Sequence, residues 1–259
     1  MSVDNSRAGI ASNNDQRHTQ IRVAVMRYKQ WKYSLLLATI CVLLLVRLFL
    51  RGMPLGFVAI DLGVGAVVLA GLSAACTRKH SRIMALVLAF PPLALTALFH
   101  FAPSERLHLM FILQRATMSL FLAFLIITIL QDLIEQREIQ RDAIVGAFCG
   151  YVLIGALWTE MYCWADLVIP HAFQPNDGLD QHIPSDIRWD HLLYFSFVTL
   201  TTVGYGDLVP TSTVTRLLAC TEAICGQFYL AVLVAGLVGI RVGQLASARP
   251  PTEDDESPR

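Results

Sequence analysis

Charge is scarce in this chain. Only 15% of its 259 residues are Asp, Glu, Lys or Arg, while 55% are hydrophobic. Soluble domains carry charge on roughly 25% of their residues, so this balance excludes an ordinary water-soluble domain and fits a protein with several membrane spans. The net charge is zero, which removes any bulk attraction to nucleic acid. Paired cysteines are also lacking. Cys41, Cys76, Cys149, Cys163, Cys220 and Cys225 show no CxxC spacing, and most fall inside apolar runs. They read as small membrane-embedded residues, neither a disulfide framework nor a metal site; Cys163 lies nearest an outer boundary. No metal-spaced histidine cluster, phosphate loop or nucleophile motif is present, so the chain does not read as an enzyme and no cofactor is expected. His100 and His108 read as interfacial residues. Residues 1–30 are polar and charged, so no cleavable signal peptide is expected there.

What is present is a series of long apolar runs. A helix crossing the hydrocarbon core needs about 20 mostly apolar residues. Tyr33–Leu50, Leu55–Cys76, Arg82–Phe101, Leu107–Leu130, Ala143–Val168 and Thr213–Val242 meet that description. Pro91-Pro92 is expected to kink the third, and the length of the sixth suggests a tilted helix projecting past the bilayer. Before the first run, residues 15–32 are basic and partly amphipathic. They read either as a surface segment meeting anionic headgroups or as a solvated leader. The linker at 132–142 is charged. The tail at 244–259 is expected to be disordered and too small for a nucleotide-, Ca²⁺- or NAD-binding regulatory domain.

Lysine and arginine in short loops set orientation. The leader, Arg78, Lys79 and Arg82, Arg137 and Arg141, and Arg241 and Arg249 all fall on one side of a six-span layout. Both termini are therefore expected in the cytoplasm of a cell with a plasma (inner) membrane. The outer side holds Asp166, Asp177, Asp180, Asp186, Asp190 and Asp207 against Arg188 alone between positions 166 and 210. Such an acidic vestibule concentrates cations.

Between the last two spans lies Thr201-Thr202-Val203-Gly204-Tyr205-Gly206-Asp207. An ion that leaves water needs its hydration replaced by oxygens. Successive backbone carbonyls supply them only when they point the same way, and glycines that accept positive φ permit this. Just upstream, residues 190–201 form an apolar run too short to span, with Asp190 placed as N-cap. Its C-terminal dipole end would favour a cation at midplane. Irregular backbone is tolerated at that depth because it lines an ion pathway.

This segment, between two spans, resembles the tetrameric potassium-channel pore family. The resemblance covers roughly residues 143–243 and is only topological before that. It implies an all-α membrane protein, with four N-terminal helices (33–131) leading into a helix–pore loop–helix unit. That unit comprises outer helix 143–168, irregular turret 169–188, pore helix 190–201, filter 202–207 and inner helix 213–243. It implies passive K⁺ conduction by a homotetramer in the lipid bilayer, with K⁺ coordinated by Thr202, Val203, Gly204 and Tyr205 and the filter completed by Gly206. Thr201, Asp207, Tyr194 and Glu222 are assigned to filter support. Tyr194 and Phe195 replace the two tryptophans of many relatives, and Val198 replaces a glutamate of some, so a filter cuff with fewer hydrogen bonds is expected. A less selective cation channel and the membrane subunit of a K⁺ uptake transporter are the alternatives.

In the last span, Gly226 reads either as a hinge or as a glycine permitting close helix approach. Gln227, Leu230, Val234 and Val238 recur at helical spacing and read as a cavity face and gate, or as a core stripe. Glu222, a carboxylate at membrane depth, is expected to bond Ser196 or Thr199 as scaffold; proton sensing is the minority reading. The fourth run has Arg106 at its outer end and Arg115 inside, not arginines at every third position, so weak or absent voltage sensing is expected. A shared depth suggests an Asp61–Arg115 or Asp61–Arg47 ion pair.

Overall fold

A computed structural model describes residues 31–50, 54–75, 79–99, 107–135, 141–176 and 188–247. The basic leader up to residue 30, positions 136–140, the outer loop at 177–187 with Asp177, Asp180 and Asp186, and the tail from 248 lie outside the described residues, as do Arg51, Cys76, Arg78 and Arg106.

The described residues form helices α1 Trp31–Phe49, α2 Pro54–Ala75, α3 Lys79–Phe99, α4 Leu107–Glu135, α5 Arg141–Val168, α6 Arg188–Leu200 and α7 Thr213–Ser247. Two three-residue strands, β1 Phe173–Pro175 and β2 Leu208–Pro210, pair antiparallel. Helix dominates because a backbone in hydrocarbon must satisfy its polar groups internally. Trp31–Phe49, Leu109–Ile134 and Ile144–Val168 are long and apolar enough to cross a bilayer, and Ala59–Ala74 and Ile83–Leu98 are shorter apolar helices. Large apolar side chains point outward along them; Phe49 and Phe90 are each 71% exposed. Apolar surface on this scale is untenable in water. The chain is a multi-pass membrane protein.

Several boundaries differ from those expected. α3 continues through Pro91 and Pro92 without a break in the helix, and the Thr96 hydroxyl donates to the Pro92 carbonyl at 2.8 Å. The turret is not wholly irregular, because β1 occupies its start. Asp190 is not an N-cap: α6 begins at Arg188, which places Asp190 inside the first turn. An acid there still favours the positive end of the helix dipole.

The chain divides into two compact units, Met1–Ala74 and Ala75–Arg259. In the first, α1 and α2 approach closely at Gly63, where a Cβ would lie 2.7 Å from Leu43 Cδ1. In the second, α3 packs on α4, α4 on α5, and α5 on both α6 and α7. Ser212 caps α7 by accepting the Thr215 amide at 3.1 Å. The core of this unit is an aromatic cluster of Tyr162, Phe173 and Phe195, with ring centroids 5.2–5.3 Å apart and steeply tilted planes. It ties α5, β1 and α6 together.

Candidate ion-conduction site

The short helix α6 ends at Leu200 and its last carbonyls reach into the next segment. Phe197 O accepts the Thr201 amide, Thr199 O that of Thr202, and Val198 O those of Val203 and Gly204, at 2.9–3.3 Å. From there the chain adopts an unusual backbone. Thr202, Gly204 and Gly206 have φ of 58°, 57° and 73°. Left-handed residues thus alternate with Val203 and Tyr205, which undoes the alternation of carbonyl direction found in a strand. Two of these positions are glycines, where positive φ is accessible. Thr202 is β-branched, for which positive φ is a true outlier; residues held this way cost about 1–3 kcal/mol and gather at functional sites.

Both sides of this segment are anchored. Asn176 donates its amide to Asp207 O at 2.8 Å, and β2 pairs with β1 from Leu208 to Pro210. Tyr194 stacks parallel to Tyr205 with ring centroids 6.5 Å apart, and its hydroxyl faces the Asp207 carboxylate. Phe195 turns the other way, into the aromatic cluster, and is buried. Val203 and Tyr205 are 52% and 71% exposed. Behind the segment runs a groove of about 220 Å³ lined in part by Tyr194, Thr199, Gly204, Asp207 and Ala219.

α7 packs against α6. A Cβ on Gly226 would lie 2.4 Å from Leu200 O, so this glycine permits close approach of two backbones. Tyr151 of α5 donates to the same carbonyl at 3.2 Å. The next residue, Gln227, reaches from Nε2 to Thr202 Oγ1 at 3.4 Å. Leu230 is exposed; the side chains of Val234 and Val238 lie outside the description. Glu222 is fully buried. Ser196 donates to one carboxylate oxygen and Tyr162 to the other, and Ser196 also lies 2.8 Å from Gly155 O. Glu222 therefore joins α5, α6 and α7. Tyr162 was not anticipated; as a tyrosine in an apolar span it gave no signal separate from packing.

The Asp61–Arg115 pairing is overturned. Arg115 Nη1 donates to Glu160 Oε2 at 2.8 Å. α4 lies on α5, which carries the carboxylate; Asp61 and Arg47 belong to the first compact unit, and each makes an interaction of its own. Glu160 was overlooked although it is a carboxylate inside an apolar span, the kind of residue that demands a partner. It also accepts Trp189 Nε1 at 2.9 Å. Arg188 forms an ion pair with Asp166. No disulfide joins the described cysteines, and no metal-holding cluster occurs among the described residues.

Comparison with known proteins agrees with this geometry. Residues 157–240 match the ion channel family. Two pore potassium channel a of Oryza sativa subsp. japonica and two-pore potassium channel 1 of Arabidopsis thaliana are each 54% identical to this chain over 43 residues, covering 17% of this chain and 12% of theirs. Two pore potassium channel b of Oryza sativa subsp. japonica is 62% identical over 34 residues, 13% of this chain and 10% of its own. The likeness thus spans a small part of these relatives. Within that span, the segment from the C-terminal part of α5 through α6 and the Thr202–Asp207 turn into α7 is similar to the ion channel family, and in part to these potassium channels.

Proposed function

We propose that the chain is a potassium-selective channel that passes K⁺ passively through carbonyls of Thr202, Val203, Gly204 and Tyr205. The observation that carries this reading is the alternation of left-handed φ at Thr202, Gly204 and Gly206. It turns consecutive carbonyls toward one line, where they replace an ion's hydration shell. One strand cannot surround an ion, so four copies are required. The exposure of Val203 and Tyr205 in a single chain supports this, because apolar surface left open beside the filter gains a cover from neighbouring copies. The relatives' printed names, potassium channels, favour K⁺ as the ion.

In this reading α1–α4 form the four-helix region ahead of the pore, both termini are cytoplasmic, and the Asp207 end of the filter faces outward across the plasma (inner) membrane. Voltage sensing is weak or absent, since the arginine of α4 is held by Glu160. Leu230 lines the inner cavity below Gln227. Reversal potentials for K⁺, Rb⁺ and Na⁺ in liposomes test the proposal. A K⁺ and Rb⁺ preference over Na⁺ is expected; equal Na⁺ and K⁺ permeability rejects it in favour of a less selective cation channel.

A further inference from the structure

α4 carries a buried cation that conduction itself does not use. The Arg115 guanidinium lies over the Phe111 ring, 4.6 Å from its centroid, and its Nε is buried with no partner among the described residues. Its countercharge comes from Glu160. The two oxygens of Glu160 are divided between two elements: Oε2 receives Arg115 of α4 and Oε1 receives the indole N–H of Trp189. Trp189 is the second residue of α6. Its neighbour Arg188 is paired with Asp166, also on α5. The N-terminus of the pore helix is thus held at two points, one of which continues into α4.

The other end of α6 holds the filter amides through Phe197, Val198 and Thr199. The helix has 13 residues and spans about 20 Å. It is hydrogen-bonded internally throughout, so a tilt imposed at Trp189 reappears at Thr202. A buried ion pair is strongly resistant to losing one partner, because the charge left behind has no solvent. Arg115 and Glu160 therefore move together or not at all.

We propose that Arg115, Glu160 and Trp189 form a brace through which α4 sets the orientation of the pore helix, making Glu160 a positioning residue for the filter. The functional consequence rests on the channel reading above; the mechanical coupling does not. α4 is then a standing support of the filter.

The test compares wild type, Arg115→Gln, Trp189→Phe and the double variant, each as full-length protein in liposomes. Two readouts are taken: hydrogen exchange of the α6 and filter amides, and the Na⁺/K⁺ permeability ratio. Each single change is expected to speed exchange in the first turn of α6 by about tenfold, the effect of stranding a buried hydrogen-bond partner, and to raise the ratio. In the Trp189→Phe background, Arg115→Gln is expected to add nothing, because the path is already cut. Equal effects of Arg115→Gln in both backgrounds, or no change in α6 exchange, overturn the brace. Should Arg115→Gln not assemble, Glu160→Gln takes its place, since it removes the countercharge and keeps an acceptor for Trp189. If wild type passes Na⁺ and K⁺ equally, the channel reading falls while the exchange measurement still decides the brace.

Discussion

Gly226 lies directly against the Leu200 carbonyl. A Cβ at this position would stand 2.4 Å from the oxygen and 2.9 Å from Leu200 Cδ1. The first obstacle is backbone at the end of the pore helix and cannot swing aside. Gly226→Ala is therefore expected to push α7 away from α6 and cost about 1–3 kcal/mol. At Gly236 and Gly239 a Cβ would meet no described atom within 4 Å, so Ala there is expected to be neutral or to stabilise by up to about 1 kcal/mol through helix propensity. Thermal unfolding of the three variants in detergent distinguishes them. Similar melting for Gly226→Ala and Gly236→Ala would contradict the packing role of Gly226.

A second expectation concerns voltage. Arg115 is the only arginine in α4, and it is neutralised by Glu160 within a salt bridge of 2.8 Å. A charge held this way does not cross the membrane field, whereas displaced charge is worth about 2.3 kcal/mol per 100 mV. Arg115→Gln should therefore leave the steepness of the conductance–voltage relation unchanged, whatever it does to selectivity. Planar-bilayer recordings over a wide voltage range supply the measurement. A clearly shallower curve in the variant would make Arg115 a gating charge.

The pore was legible in the sequence where chemistry and local geometry coincide. Gly204 and Gly206 stand at two of the three left-handed positions between residues 202 and 207, and glycine advertises such positions. Thr202, the third, carried no such mark, since its strain is imposed by the α6 terminus and by the chain around it. Ser196 could be matched to Glu222 because both fall at one depth beside the filter; the second partner, Tyr162, lies on another helix and became visible only once α5 and α7 were packed. Depth alone also failed for Arg115. Asp61 and Glu160 both satisfied it, and only the packing of α4 on α5 chose between them. The β1–β2 pair was illegible for a different reason. Each strand has three residues and ends in proline, too short for any alternation to register.

Tyr194 offers a test of how the outer filter is held. Its ring lies parallel to Tyr205, and its hydroxyl faces the Asp207 carboxylate. Tyr194→Phe keeps the stack and removes the hydroxyl from beside that carboxylate. Assembly is expected to be unaffected, while sustained K⁺ flux decays faster than in wild type because the Asp207 end of the filter loses a tie. Asp207→Asn, which retains an acceptor, should decay more slowly than Tyr194→Phe. The time course of flux under a constant K⁺ gradient gives the comparison, and identical decay in wild type and Tyr194→Phe would remove the tyrosine from filter support.

Glu222 is a carboxylate of the pore unit with no exposed surface. Its two oxygens take hydroxyls from Tyr162 on α5 and Ser196 on α6, so one side chain of α7 joins the three helices. Glu222→Ala leaves the Tyr162 hydroxyl without an acceptor, while Ser196 keeps the Gly155 carbonyl, and opens a void, a loss on the order of 3 kcal/mol. Tyr162→Phe removes one bond and keeps the ring within its cluster with Phe173 and Phe195, a loss of about 1 kcal/mol. The two changes share a contact, so they should not add: Tyr162→Phe should cost less in the Glu222→Ala background. Glu222→Gln separates scaffold from proton sensor. A scaffold role lowers thermal stability or assembly and leaves the pH profile of flux in place. A sensor role shifts that profile at unchanged melting. The three-helix clasp predicts the first result, and a shifted profile in a fully stable Glu222→Gln protein would reverse the assignment.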